Sequence, residues 1–157
     1  MTNQEKTELE IKSVLYQQCI DFVEQRLQTI QNSIKEIQES LTSETKSSAG
    51  DKHETGRAML QLERENAGRQ LSEIEKLKES VSKIDIHYTS NTIGLGSVII
   101  TSQSNYFMAI SCGKLQINSN EYFAISPETP IGQLLFGKKA EDVIHFRDSK
   151  FKILNVS

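Results

Sequence analysis

The apolar positions in the first half of the chain recur at helical spacing. Ile20, Val23, Leu27, Ile30, Ile34, Ile37 and Leu41 alternate steps of three and four residues, a heptad seam held for three repeats. Leu9, Ile11, Val14 and Leu15 carry the helix toward the N-terminus with a less regular stripe. A second series, Leu60, Ala67, Leu71, Ile74 and Val81, follows the same steps, with Arg64 and Lys78 filling two seam positions and Leu77 and Ile84 close by as substitutes. This second seam is the weaker of the two. No proline falls between Gln4 and Lys83, so nothing there removes a helical hydrogen bond. The Ser-, Thr- and Gly-rich run from Thr42 to Gly50 ends the first helix, and Asp51 caps or opens the second. The pattern predicts an antiparallel coiled-coil hairpin over residues 1–84. Its arms are about 30 residues long, roughly 45 Å at the helical rise. A parallel dimer built from one long helix is the competing arrangement, and Gly50 and Gly56 beside the polar run favour the turn.

The pattern changes near Ile84 to Asn91, which reads as a linker. Five of the eight glycines follow residue 90, and both prolines, Pro127 and Pro130, lie beyond it. Ser97 to Thr101 and Tyr106 to Ile110 are apolar, partly branched runs separated by turn residues, and they read as strands. Val143 to Phe146 and Phe151 to Val156 read as a closing hairpin around Arg147 to Lys150. Between the pairs, Pro130 to Gly137 reads as a short helix, with Pro130 at its first position and Gly137 at its exit. The fold class expected is therefore α+β: a helical hairpin, then a small twisted antiparallel β domain with one short helix at residues 85–157.

Composition narrows the function. Hydrophobic residues make up 36% of the 157, low for a compact globule and suited to an elongated chain with much exposed helix. A net charge of −3 argues against holding nucleic acid through bulk positive charge. No run of 18 apolar residues and no signal-peptide pattern occurs, so a cytoplasmic protein without a membrane partner is expected. Cys19 and Cys112 lie far apart in different segments and make neither a metal framework nor a secreted disulfide scaffold. They read as two reduced thiols packed as small apolar groups, and no base can be assigned to activate Cys112. No phosphate-binding glycine loop, complete metal cluster or nucleophile–base pair is visible.

The turn itself carries chemistry. Asp51 and Glu54 stand three apart, on one side of a helical turn. They can serve as an N-cap and the reciprocal member of a capping box, or as oxygen ligands held at the end of an arm. Lys52 and Arg57 beside them can contact phosphate or remain solvated. His53 beside two carboxylates is not a zinc pattern.

The segment Gly50-Asp51-Lys52-His53-Glu54-Thr55 resembles the Gly-Asp-x-x-Glu-Asn tip of the bacterial Gre-type transcript cleavage factors. Ser126-Pro127-Glu128-Thr129-Pro130-Ile131-Gly132-Gln133-Leu134-Leu135-Phe136-Gly137-Lys138-Lys139-Ala140-Glu141-Asp142-Val143 is similar to that family's Ser-Pro-Ile…Leu-Ile-Gly-Lys…Gly-Asp-x-Val signature. Order, spacing and total length agree, so the resemblance spans essentially the whole chain. It departs from the family at Thr55, where the family has Asn, and at Glu141, where it has Gly.

The resemblance implies an FKBP-like C-terminal domain and a monomeric elongation factor that inserts its hairpin tip into the secondary channel of RNA polymerase. It implies that Asp51 and Glu54 help hold a Mg²⁺ shared with the polymerase and stimulate cleavage of backtracked nascent RNA. The protein would not be an enzyme alone and would hold no cofactor by itself, because two carboxylates cannot complete a metal site. The resemblance further implies that Lys52 and Arg57 approach the RNA 3′ end, and that Glu128, Thr129, Pro130 and Ile131 dock on the polymerase. Isomerase activity is not expected, because this half has no Trp and few aromatics for a deep pocket. A homologue that occupies the channel without stimulating cleavage, and a coiled-coil adaptor for another protein, are the alternative readings.

Overall fold

The computed structural model describes residues 1–46 and 51–157, and for residues 44–46 and 51–53 the backbone alone. Helix α1 spans Asn3–Lys46 and α2 spans Asp51–Ser82. A capping box opens α1. The Glu5 amide donates to Thr2 Oγ1 at 3.1 Å and the Thr2 amide donates to Glu5 Oε2 at 2.6 Å, which satisfies two otherwise orphaned donors. The helix runs past Thr42, the residue expected to begin its end. Thr42 is kept helical by donating its hydroxyl to the Gln38 carbonyl at 3.0 Å, the back-bond that lets a polar side chain stay within a helix. The expected turn at Ser47 to Gly50 lies outside the described residues.

The described residues divide into two units. One is Val23–Lys78, a hairpin made of the two long helices. The helices run in opposite directions, for Lys78 near the end of α2 meets Glu24 near the start of this part of α1, at 3.8 Å. The heptad residues form its inner face: Val23, Ile30, Ala67 and Ile74 are buried, and Leu27, Ile34, Ile37, Leu60 and Leu71 are half-buried. Most stabilisation of such helices comes from this tertiary burial rather than from intrinsic propensity.

The second unit comprises Met1–Phe22 and Glu79–Ser157. Its strands are β1 (Val98–Thr101), β2 (Asn105–Met108), β3 (Gly113–Ile117), β4 (Asn120–Ile125), β5 (Val143–Phe146) and β6 (Ser149–Val156), with helix α3 (Pro130–Leu135) between β4 and β5. They form one sheet in the order β3-β4-β2-β1-β6-β5. The expectation of a wholly antiparallel sheet is corrected here: β2 and β4 pair in parallel, Phe107 opposite Ala124, so the sheet is mixed. The cause is topological. β3 returns into β4 as a tight hairpin, and β4 then lies between β3 and β2, running in the direction of β2. Ile93, Ile99, Met108, Ile125, Leu135, Ile144, Phe151 and Ile153 form the core against this sheet.

The first turns of α1 are fastened to the sheet unit in three places. Lys12 Nζ donates to the Tyr88 carbonyl at 3.1 Å. Gln18 pairs with the backbone of edge strand β3, donating to the Gln116 carbonyl at 2.9 Å and accepting from its amide at 3.3 Å. An edge strand otherwise presents unpaired backbone groups, and this side chain occupies two of them. Cys19 Sγ lies 3.7 Å from Cys112 Sγ.

Candidate functional site

Two groups of residues carry the candidate chemistry. The first is at the start of α2. Glu54 lies in its first turn, and its side chain is exposed, as is that of Thr55. Arg57 is half-buried. The side chains of Asp51, Lys52 and His53 lie outside the described residues, although their backbone belongs to α2. Asp51 and Glu54 stand three positions apart in the backbone of α2. Among the described residues no three His, Cys, Asp or Glu side chains gather to hold a metal ion. No helix among them is long and apolar enough to cross a membrane.

The second group surrounds α3. Thr129, with backbone at φ −68° and ψ 157°, is the N-cap: its Oγ1 accepts from the Gly132 amide at 3.1 Å and donates to the Ser126 carbonyl at 2.8 Å. Pro130 takes the first helical position, where its missing N–H costs nothing. The Phe136 amide donates back to the Gly132 carbonyl at 2.9 Å, and Gly137 leaves with φ +81°, so the expected entry and exit are both present. Gly132 is buried in the first turn, and a Cβ there would collide with the Ser126 carbonyl oxygen. Ile131 is half-buried and packs against the core, while Glu128 and Pro130 are exposed. Of the four expected docking residues, two thus face solvent and two also hold the helix in place.

Sequence reasoning passed over Leu134 and Phe136, which extend the exposed edge begun by Pro130 and are 39% and 51% exposed. The signal was available: a helix of six residues buries one side only, and Leu135 already fills that side. The strands β3 and β4 were also missed. Leu115 and Ile117 alternate with polar residues, as do Tyr122 and Ala124 in part, around the turn at Asn118-Ser119, where Asn118 adopts φ +54°.

A cleft of about 330 Å³ opens beside Lys12, lined by Glu5, Glu8, Lys12 and His87 among others. Lys12 is only 2% exposed. Burial lowers its pKa from 10.5, against the opposing pull of Glu8 and Asp85.

No protein-family model matches the chain, and no curated protein matches it. Among solved structures the chain is similar to that of the transcription factor Gfh1, with 16% identity over 90% of this chain and 92% of that chain and a TM-score of 0.33.

Proposed function

We propose that this protein is a transcription factor that acts on RNA polymerase, entering the secondary channel with the α1–α2 turn and stimulating cleavage of backtracked RNA. The observation that carries this reading is Glu54, an exposed carboxylate on the first turn of α2, one of the two antiparallel helices. It stands in a segment that resembles the acidic tip of the Gre-type factors. A bland turn would serve a purely structural hairpin equally well.

The donor set fits Mg²⁺, which takes hard oxygen ligands and retains several waters. Asp51 and Glu54 supply at most a minority of such a shell, so the remainder would come from polymerase carboxylates and water. Mg²⁺ held there supplies charge stabilisation for in-line displacement at an RNA phosphodiester. The chain's own part is to present two carboxylates on one helix face and to hold the hairpin that carries them. Lys52 and Arg57 are assigned to phosphate contact, and the exposed edge of Glu128, Pro130, Leu134 and Phe136 to docking on the polymerase. An apolar strip flanked by charge has the composition of a protein-binding surface.

The test is transcript cleavage by a deliberately backtracked polymerase from the same source. Wild-type protein is expected to accelerate cleavage. Asp51→Asn with Glu54→Gln is expected to bind equally well and to lose on the order of a hundredfold in rate, the scale of removing a charge-stabilising group. Tight binding without cleavage by the wild type would assign the protein to channel occupation instead. No binding at all would sink the polymerase reading and leave an adaptor.

A further inference from the structure

We propose that Cys19 and Cys112 form an oxidisable dithiol that a hydroperoxide converts to a disulfide joining helix α1 to the segment between β2 and β3. The two residues are 93 positions apart, yet the fold brings their sulfurs to 3.7 Å. A disulfide bond is about 2.05 Å long, so the sulfurs need to approach by less than 2 Å to bond. Both partners are already held in place. Gln18, next to Cys19, is bonded to the backbone of β3 at both its amide positions, and the Cys112 amide donates to the Ile110 carbonyl at 3.0 Å.

The environments differ in a way that assigns roles. Cys19 is fully buried, while Cys112 is partly open to solvent. Peroxide therefore reaches Cys112 first. Either sulfur can donate across the 3.7 Å contact, and a hydrogen bond from the Cys19 thiol stabilises a Cys112 thiolate, so the Cys112 pKa lies below its ordinary value. The same hydrogen bond, together with burial, raises the pKa of Cys19. Cys112 is thus the attacking sulfur and Cys19 the resolving one, the arrangement of an accessible low-pKa thiol beside a second cysteine.

The Cys112 thiolate attacks one oxygen of the hydroperoxide, the O–O bond breaks, and Cys112 becomes a sulfenic acid. The leaving alkoxide or hydroxide takes up the proton that Cys112 had shed. The sulfur of Cys19 then attacks the sulfenic sulfur, the S–OH bond breaks, and the hydroxyl departs as water with the proton of Cys19. Two thiols and one hydroperoxide give one disulfide, one alcohol (or water) and one water. The thiols lose two electrons and the peroxide gains them.

The experiment treats the full chain with hydrogen peroxide. Both thiols are expected to disappear together in a thiol titration. The intact mass should fall by two hydrogen atoms, and proteolysis without reductant should yield one peptide pair bridging Cys19 and Cys112. Dithiothreitol should restore both thiols. In Cys19→Ser, Cys112 should stop at the sulfenic acid and be trapped by dimedone. In Cys112→Ser, Cys19 should stay reduced under the same exposure. The peptide mapping of wild type decides the matter even if a variant folds poorly. Two surviving thiols, or Cys112 driven to sulfinic acid with Cys19 still free, would overturn the proposal. So would oxidation of Cys19 at the wild-type rate in a folded Cys112→Ser protein.

Discussion

Glu141 carries its backbone at φ +80°, the left-handed region where a Cβ is crowded by the following carbonyl. It is also the position at which the chain departs from the Gly-Asp-x-Val pattern it otherwise resembles. The two facts explain each other: the Glu141 amide donates to the Ile153 carbonyl and the Ile153 amide to the Asp142 carbonyl, and together they fix this turn whatever residue occupies it. The ion pair with Lys152, at 2.5 Å between half-exposed and exposed side chains, offsets little of the strain. Glu141→Gly is therefore expected to be more stable than Glu141→Ala by about 1 kcal/mol, although both lose the ion pair. Urea unfolding of the two variants checks it.

Lys12 gives a second residue-scale expectation. A lysine whose folded pKa is lowered stays protonated in the unfolded chain up to 10.5 after the native state has released its proton. Between those two values the unfolded state binds more protons, so stability rises with pH there, and below the folded value the full burial penalty remains. Wild-type midpoints measured from neutral pH to about pH 10 should climb relative to those of Lys12→Met. A constant difference across that range would mean that Lys12 titrates normally. The sequence marked Glu141 only as a departure from the Gly-Asp-x-Val pattern and did not mark Lys12 at all. The strain at Glu141 comes from a backbone angle, and the burial of Lys12 comes from residues more than seventy positions away.

At the scale of elements, the helices were legible because a heptad seam is a local signal, carried by seven apolar positions over three repeats between Ile20 and Leu41. The interruptions were equally legible. Lys78 remains largely exposed and pairs with exposed Glu24, whereas Ile74 is 8% exposed. Ile74→Ala is expected to cost about 2 kcal/mol through lost burial and the space it leaves. Lys78→Ala should cost under about 0.5 kcal/mol. Equal losses in thermal or urea unfolding would contradict this ranking of the seam. The short helix α3 was readable from Pro130 and Gly137, since both mark helix ends by fixed backbone chemistry. The β3–β4 hairpin was not recognised, because Gly113 and Lys114 dilute the apolar alternation of its first strand. The parallel pairing of β2 with β4 was beyond reach, since strand order is set by long-range packing rather than by any local pattern.

At the scale of the whole molecule, the acidic residues of the turn were readable as candidates because their spacing alone puts two carboxylates on one helix face. The cysteine pair was not, because sequence separation hides a contact made only when α1 meets the segment after β2. That contact has a consequence for topology. Every residue of the hairpin unit, Val23–Lys78, lies between Cys19 and Cys112. Once the two sulfurs are joined, the chain from one to the other becomes a closed ring with two open tails. A single protease cut anywhere in the hairpin then opens the ring without dividing the molecule. The nicked, oxidised protein runs as one species on a denaturing gel and separates into two fragments only when reductant is added. Two sulfur atoms would thus decide whether a severed hairpin is a broken protein or an intact one.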